Sequence, residues 1–124
     1  MLSLPPSVRI YLCLHPTDMR RSFDGLAAMT AEIMGENPLS GHLFVFRNRR
    51  GDRIKILYWD RSGYCLWYKR LEEGTFHFPH ADSPRLEIEG CQLSLILEGI
   101  QVSEARQHKR FRLRENRHSP IEIF

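Results

Sequence analysis

The chain has 124 residues, of which 42% are hydrophobic and 27% are charged, and its net charge is +3 with a pI near 9.0. These values are ordinary for one globular domain that buries its own core without disulfides. No apolar run reaches the roughly 20 residues of a membrane helix and no secretory signal precedes the first predicted strand, so we expect a soluble cytoplasmic protein without membrane contact.

The first 41 residues predict a strand followed by a helix. Residues 8–14 are a nearly continuous apolar run, which is typical of a buried strand. Thr17 or Asp18 can cap the start of a helix, and apolar residues then recur at helical spacing until Gly35, a natural helix stop. This apolar stripe contains Met19, Phe23, Leu26, Ala27, Thr30, Ile33 and Met34. We therefore expect a helix that packs one face onto a sheet.

Residues 41–74 contain three stretches rich in aromatic and branched residues, separated by two turn segments. The turns contain Gly51 and Gly63, which can adopt the positive φ that short hairpin loops usually require. This pattern predicts a three-stranded antiparallel meander. Apolar side chains alternate onto both faces of its strands. Either both faces are covered, or one face keeps an apolar patch for a partner.

The C-terminal half contains weaker signals. Residues 75–78 and 85–89 are candidate short strands around a proline-containing turn. Apolar residues recur at helical spacing over residues 93–100, which indicates a short second helix. After that, arginine dominates and the apolar period fades.

The predicted fold class is α+β: an antiparallel sheet built around the meander, one N-terminal helix packed on it, and a short C-terminal helix. We assign residues 1–103 to this single domain. Residues 104–124 form a basic C-terminal tail, which we expect to be mobile without a partner.

Positive charge is concentrated in two segments. Residues 47–55 contain five basic residues and one acid, and residues 104–118 contain six basic residues and two acids, whereas the intervening residues 72–98 are acidic. Clustered arginines suit an anionic polymer because guanidinium groups bind phosphates bidentately and release counterions. Contact with nucleic acid and simple solvation of these side chains remain equally open at this point. The predicted nucleic-acid-binding residues are Arg47, Arg49, Arg50, Arg53, Lys55, Arg106, Lys109, Arg110, Arg112 and Arg114.

Catalytic motifs are absent from the sequence. It contains no Ser–His–Asp ordering, phosphate-binding glycine loop or dinucleotide fingerprint, and its aspartates lie at turns and helix starts, where local hydrogen bonding favours them. Cys13, Cys65 and Cys91 form no C-x-x-C pair, so we expect buried thiols rather than a zinc site. We predict no enzyme activity, no metal site and no cofactor. A metal nuclease using Asp52 or Asp60 is a third, lower-ranked hypothesis.

Three segments carry a resemblance to a known family. They read PTDMRRSFDGLAAM, SGHLFVFRNRRGDRIKILYWDRSGYCLWYKRLEEGTFHFP and, more weakly, LSLILEGI. The chain resembles, over about residues 8–100, the small accessory protein of IS66-type bacterial insertion sequences, which is called TnpB or the second open reading frame. Membership would imply a role in DNA transposition beside a separate, larger transposase that carries the catalytic acids. The resemblance supplies no catalytic or ligand residues.

Two functional hypotheses follow. In the first, the chain is a non-catalytic accessory factor of transposition that binds element DNA, the transposase, or both. In the second, it is a protein-interaction module that docks on the transposase or on a second copy of itself, and the basic residues only keep it soluble. Trp59 and Trp67 are the predicted partner-binding residues of the second hypothesis.

Overall fold

The computed structural model describes residues 4–100, which form five strands and two helices. The strands are β1 (Ile10–Cys13), β2 (Leu43–Arg47), β3 (Arg53–Asp60), β4 (Gly63–Arg70) and β5 (Arg85–Ile88), and the helices are α1 (Phe23–Glu32) and α2 (Gly90–Leu97). The predicted α+β class, with an N-terminal helix and a short C-terminal helix, is confirmed. No helix among these residues is long and apolar enough to cross a membrane.

The five strands form one mixed sheet in the order β4-β3-β2-β1-β5. Strands β2, β3 and β4 are the predicted antiparallel meander, and β5 pairs antiparallel with β1. Strands β1 and β2 are parallel, with Ile10 opposite Leu43. This one parallel pair, which an antiparallel sheet does not contain, arises because α1 carries the chain from the end of β1 back to the start of β2.

Helix α1 begins at Phe23, four residues later than the apolar stripe predicts. The Nζ atom of Lys55 donates hydrogen bonds to the backbone carbonyls of Met19 and Arg21, each at 2.8 Å. In a helix, these carbonyls would accept from N–H groups four residues further on. The Asp18 carboxylate also accepts the N–H two residues after it, which forms a local turn instead of a helix cap. A long-range contact therefore overrides the local helical pattern.

The end of α1 follows its sequence signal. The last helical residue is Glu32, and Gly35 adopts a φ of +68°. The N–H of Glu36 donates to the carbonyl of Thr30 at 3.0 Å, which satisfies a backbone group at the helix end. The predicted helix stop at Gly35 is therefore confirmed.

Both faces of the sheet are covered, which decides between the two alternatives left open by the alternating pattern. The core on the α1 side consists of Tyr11, Cys13, Leu26, Met29, Met34, Phe44, Phe46 and Leu57. The core on the α2 side consists of Ile10, Leu12, Leu43, Val45, Ile54, Ile56, Phe76, Ile88, Leu93, Ile96 and Leu97. The two helices thus pack on opposite faces, and each seals one layer of apolar side chains from water.

The two turns of the meander use different residues for positive φ. Gly51 has a φ of +80°, as the sequence predicts. In the second turn the prediction for Gly63 is wrong, because Arg61 adopts the left-handed conformation instead, with a φ of 49°. This conformation brings the Arg61 Cβ close to its own backbone and therefore has a local steric cost, which the exposure of the side chain does not remove.

The remaining predicted elements differ in part from the structure. The first and last strands are shorter than predicted, and residues 75–78 form a connection without regular secondary structure rather than a strand. The predicted burial of the thiols holds for Cys13, whose pKa is raised by burial, but Cys65 is half-buried and Cys91 is exposed. The basic tail at residues 104–124 lies outside the described residues.

Candidate nucleic-acid interface

The turn between β2 and β3, with the first residue of β3, forms a compact basic tip (residues 48–53). The side-chain oxygen of Asn48 accepts the Arg53 N–H at 3.0 Å, and its amide nitrogen donates to the Asp52 carboxylate at 2.7 Å. The N–H of Gly51 donates to the Asn48 carbonyl at 3.0 Å. One asparagine side chain therefore closes the turn across both of its arms.

The basic tip is also bonded to the chain that follows β4. The Asp52 carbonyl accepts the Leu71 N–H at 2.9 Å, and the Gly51 carbonyl accepts the Phe76 N–H at 2.6 Å. A Cβ atom on Gly51 would lie 3.3 Å from the Cβ of Thr75, so the following segment passes directly over the glycine. These contacts hold the tip in one position relative to the sheet.

Three of the predicted phosphate-binding arginines present their side chains from this tip. Arg49 and Arg50 are exposed, and the Arg50 guanidinium lies 4.0 Å from the Asp52 carboxylate. The Arg53 guanidinium donates to the Tyr68 hydroxyl at 3.0 Å, an interaction that raises the pKa of Arg53. All three side chains are in position to meet an anion that approaches from solvent.

Two other predicted phosphate-binding residues have structural contacts. The Arg47 guanidinium donates to the Phe76 carbonyl at 2.9 Å and lies 4.3 Å from the centre of the Phe78 ring. It is half-buried, and desolvation by burial lowers the pKa of Arg47. Lys55 is only 6% exposed and is held by its two backbone carbonyl acceptors. The alternation of side chains along β3 already indicated that Lys55 is buried, because Lys55 shares the α1 face with the core residue Leu57.

A cleft opens between the basic tip, the segment before α1, and α1 itself. This hairpin cleft has a volume of about 610 Å³. It is lined by His15, Pro16, Thr17, Asp18, Met19, Arg21, Met29, Ile33, Asn48, Arg49, Arg50, Asp52 and Arg53. The Thr17 N–H donates to the Arg47 carbonyl at 2.9 Å and closes the cleft at its base. The two strongest blocks of the family resemblance therefore meet at one site.

Sequence reasoning did not find Arg21 as part of this site. Arg21 lies 28 residues before Arg49 in the chain, within a segment whose apolar spacing looked helical. Four arginines thus line the hairpin cleft together with two aspartates. Among residues 4–100, Arg21 and Arg49 have no carboxylate within salt-bridge distance.

The two aspartates of the hairpin cleft are both engaged by neighbouring groups. The Arg20 guanidinium binds the Asp18 carboxylate through several hydrogen bonds of 2.7–3.1 Å, which lower the pKa of Asp18 to about 2. The hydrogen bond from Asn48 lowers the pKa of Asp52, with a smaller contribution from Arg50. Both carboxylates are therefore ionised at neutral pH, and each has a partner in the protein.

The two predicted partner-binding tryptophans lie on opposite faces of the sheet. Trp59 shares the α1 face with its cross-strand neighbour Tyr64, and their rings meet edge to face with centroids 5.2 Å apart. Trp67 is opposite Ile56 and packs against the core on the α2 side. A docking surface confined to one face of the sheet therefore cannot include both Trp59 and Trp67.

The other predicted features have limited support in the described residues. Within residues 4–100, no group of three or more His, Cys, Asp or Glu side chains is arranged to hold a metal ion. Asp52 and Asp60 flank the two ends of β3 and do not share a site. The tail residues Arg106, Lys109, Arg110, Arg112 and Arg114 lie outside the described residues.

Comparison with known proteins identifies one family. The family model described as IS66 Orf2 like protein matches residues 8–107. The chain is 42% identical over 100 residues to the uncharacterized protein y4hO of Sinorhizobium fredii, which covers 81% of this chain and 87% of that protein. It is 34% identical over 107 residues to the uncharacterized protein y4jC of the same organism, which covers 86% of this chain and 92% of that protein. No solved structure matches the chain significantly. The chain therefore belongs to the IS66 Orf2-like family of transposition accessory proteins.

Proposed function

We propose that this chain is a non-catalytic accessory factor of transposition that contacts the DNA of its insertion sequence through the basic tip. The observation that carries this proposal is the presentation of Arg49, Arg50 and Arg53 from one rigidly bonded turn at the mouth of the hairpin cleft. A turn that is already ordered loses little conformational entropy on binding, so more of the phosphate interaction is available as affinity.

The two roles of the basic residues divide by burial. Arg49, Arg50 and Arg53 would contact phosphates, whereas Arg47 and Lys55 would hold the surrounding backbone in place. The tail arginines and lysine would extend the contact along the DNA. Contacts of this kind give affinity without sequence choice, since phosphates carry no sequence information.

The first test is a fluorescence-anisotropy titration of the protein with two duplexes, one carrying the terminal repeat of the element and one a scrambled sequence. Each is titrated at low and at physiological salt. A preference for the terminal repeat that persists at physiological salt indicates an end-binding factor. Equal binding that weakens steeply with salt indicates contact with the phosphate backbone alone. Absence of binding at low salt would refute the DNA proposal.

A pair of charge-matched variants separates the basic tip from net charge. The double substitution Arg49→Gln and Arg50→Gln should lower the slope of log affinity against log salt by about 1.8, since each phosphate contact contributes roughly 0.9. The control is the double substitution Arg9→Gln and Arg61→Gln, which removes the same charge from exposed arginines at the opposite end of the sheet. An equal effect of both variants would contradict a contact at the tip.

A second candidate function, docking on the larger transposase or on a second copy of this chain, is favoured by the edge of the sheet. Within residues 4–100, β4 pairs only with β3, so the outer edge of an eight-residue strand is open to pairing with another chain. Trp59 and Tyr64 lie where β3 and β4 meet at the second turn. Their rings would widen such a contact on the α1 face.

Capture assays with purified transposase test this candidate, and light scattering tests self-association. If docking is the main function, Trp59→Ala should reduce capture while the Arg49/Arg50 double variant retains it. Trp67→Ala is the control for stability, because Trp67 packs against the core on the α2 side. Loss of capture only in the arginine variant would favour the basic tip as the partner contact instead.

A further inference from the structure

Beyond the basic tip, the hairpin cleft contains a fourth arginine that the proposed function does not use. Arg21 lines the cleft from the segment before α1, whereas Arg49, Arg50 and Arg53 line it from the hairpin. The Arg21 side chain is exposed and has no carboxylate within salt-bridge distance among residues 4–100. Guanidinium groups therefore approach the same space from two sides.

The neighbouring arginine, Arg20, is paired with a carboxylate of the protein. Arg20 binds Asp18 through the two oxygens of the carboxylate, so its charge is already compensated within the protein. This pairing also compensates the negative charge of Asp18 at the cleft wall. The contrast between adjacent residues identifies Arg21, rather than Arg20, as the side chain available to an external anion.

Lys55 places the Arg21 backbone at the cleft. Its buried ammonium group donates to the carbonyls of Met19 and Arg21, each at 2.8 Å, and lies 4.7 Å from the centre of the Tyr68 ring. These contacts join β3, β4 and the segment before α1. The buried lysine is thus a fixed link between the sheet and the backbone that bears Arg21.

We infer that the hairpin cleft receives a phosphodiester group of the DNA backbone, with Arg21 as a fourth guanidinium contact that Lys55 positions. This inference rests on the proposed DNA contact. The cleft volume of about 610 Å³ falls within the roughly 300–1,000 Å³ of pockets that bind small ligands. A sugar-phosphate unit is therefore of suitable size.

A repeating anion fits this surface better than a single acidic side chain. Beyond the cleft, Arg53 is followed on β4 by its cross-strand partner Arg70, with the half-exposed ring of Tyr68 beside them, but the Arg70 guanidinium is bound by the Glu72 carboxylate at 3.1 Å. Directly opposed residues on neighbouring strands project from the same face of the sheet. Positive charge is thus spread over the four cleft arginines rather than held at one point, which matches the repeated charge of a phosphate backbone, whereas Arg70 is compensated by Glu72.

The test measures the salt dependence of binding to a random 20-base-pair duplex by fluorescence anisotropy. Arg21→Gln should lower the slope of log affinity against log salt by about 0.9, which is one phosphate contact. The matched control is Arg61→Gln, an exposed arginine that follows the far end of β3, a strand about 23 Å long by the rise per residue. Its slope should equal that of the unmodified protein. Arg21 is exposed, so its substitution leaves the core unchanged.

Three outcomes would overturn the inference in distinguishable ways. If Arg21→Gln leaves the slope unchanged while the Arg49/Arg50 double variant lowers it, DNA bypasses the cleft and only the tip contact stands. If Arg21→Gln weakens capture of the transposase without changing the slope, the cleft docks a protein. If the unmodified protein does not bind the duplex at low salt, the proposed function fails and this inference fails with it.

A double-substitution experiment tests the positioning role of Lys55. Lys55→Met should lower the slope by about 0.9 through displacement of Arg21, and the combined Lys55→Met and Arg21→Gln variant should show no larger loss. A combined loss of about 1.8 would mean that Lys55 contacts a phosphate itself. If the Lys55→Met variant does not fold, the Lys55→Gln variant takes its place in the same comparison. Glutamine has a shorter side chain than lysine but still has a hydrogen-bond donor.

Discussion

The first hairpin, between β2 and β3, and the second hairpin, between β3 and β4, share β3 but are held differently. The first tip donates and accepts hydrogen bonds within itself and binds the backbone of Leu71 and Phe76, which follow the end of β4. In the second turn, Arg61 and Ser62 are exposed, and the hydrogen bonds of Ser62 go to the carbonyl of Asp60.

The first tip therefore has an ordered backbone beneath its cations, whereas the second turn has fewer supporting contacts. A cationic side chain binds more tightly when the backbone beneath it is already ordered, because less entropy is lost on contact. The first hairpin meets this condition through contacts remote in sequence. Substitutions in the first tip, compared with matched substitutions in the second turn, should show how strongly the first tip is constrained.

The largest expected effect is that of Gly51→Ala. The backbone of residue 51 has a φ of +80°, which is unfavourable for alanine. The added Cβ would also lie 3.3 Å from the Cβ of Thr75. The left-handed backbone alone costs about 1–2 kcal/mol for a residue other than glycine, and the contact with Thr75 adds to this. Urea unfolding should show this cost as a lower free energy of unfolding.

The matched control is Gly63→Ala in the second turn. Gly63 does not have a positive φ, and an added Cβ there would have no heavy atom within 4 Å outside its immediate neighbours. Its effect should remain within about 0.5 kcal/mol, as for most surface substitutions. Equal destabilisation by the two substitutions would show that the first tip is not specially constrained.

The next largest effect is expected for Asn48→Ala. This substitution removes the acceptor for the Arg53 N–H and the donor to the Asp52 carboxylate. At about 0.5–1.5 kcal/mol each, two hydrogen bonds contribute about 1–3 kcal/mol, and because both are only partly buried we expect a loss at the lower end of that range. Thermal or urea unfolding measures it.

Ser62→Ala is the corresponding change in the second turn. The Ser62 hydroxyl makes a long hydrogen bond of 3.4 Å to the Asp60 carbonyl at an exposed position. We expect a change of less than about 0.5 kcal/mol. A larger loss for Ser62→Ala than for Asn48→Ala would reverse the comparison between the two hairpins.

The parts of this fold that the sequence predicts are those with local signals. The alternation of β3, the turn at Gly51 and the helix stop at Gly35 each depend on the conformational preferences of a few neighbouring residues. Helices on both faces also agree with the doubly apolar strands, although the pattern alone did not exclude an uncovered face.

The parts that sequence reasoning missed depend on contacts between distant segments. The start of α1 is displaced because Lys55 binds carbonyls that lie more than 30 residues earlier in the chain. The same contact turns Lys55 from a predicted phosphate ligand into a buried support and brings Arg21 to the cleft. Charge density along the chain indicated the tip as a candidate, but it does not indicate which cations are buried.

The smallest effect concerns the acidic limb of the pH–stability curve. The hydrogen bond from Asn48 lowers the pKa of Asp52 below its ordinary value near 3.9. The folded state therefore holds its proton less tightly than the unfolded state, and the resulting stability is complete above pH 4 and is lost as the pH falls through the lowered pKa. Carbon-detected NMR of the carboxylate should show Asp52 titrating below the ordinary range.

Crossed substitutions show whether the donor at the first tip causes this shift. Asn48→Ala should return the pKa of Asp52 towards its ordinary value and leave the pKa of Asp18, which is about 2, unchanged, because the latter is lowered by Arg20. Arg20→Gln should do the opposite. If Asn48→Ala left the titration of Asp52 unaltered, the lowered pKa of Asp52 would instead be caused by the neighbouring arginines Arg50 and Arg53. The tip would then be held together by charge, and its geometry would loosen as salt screens that charge.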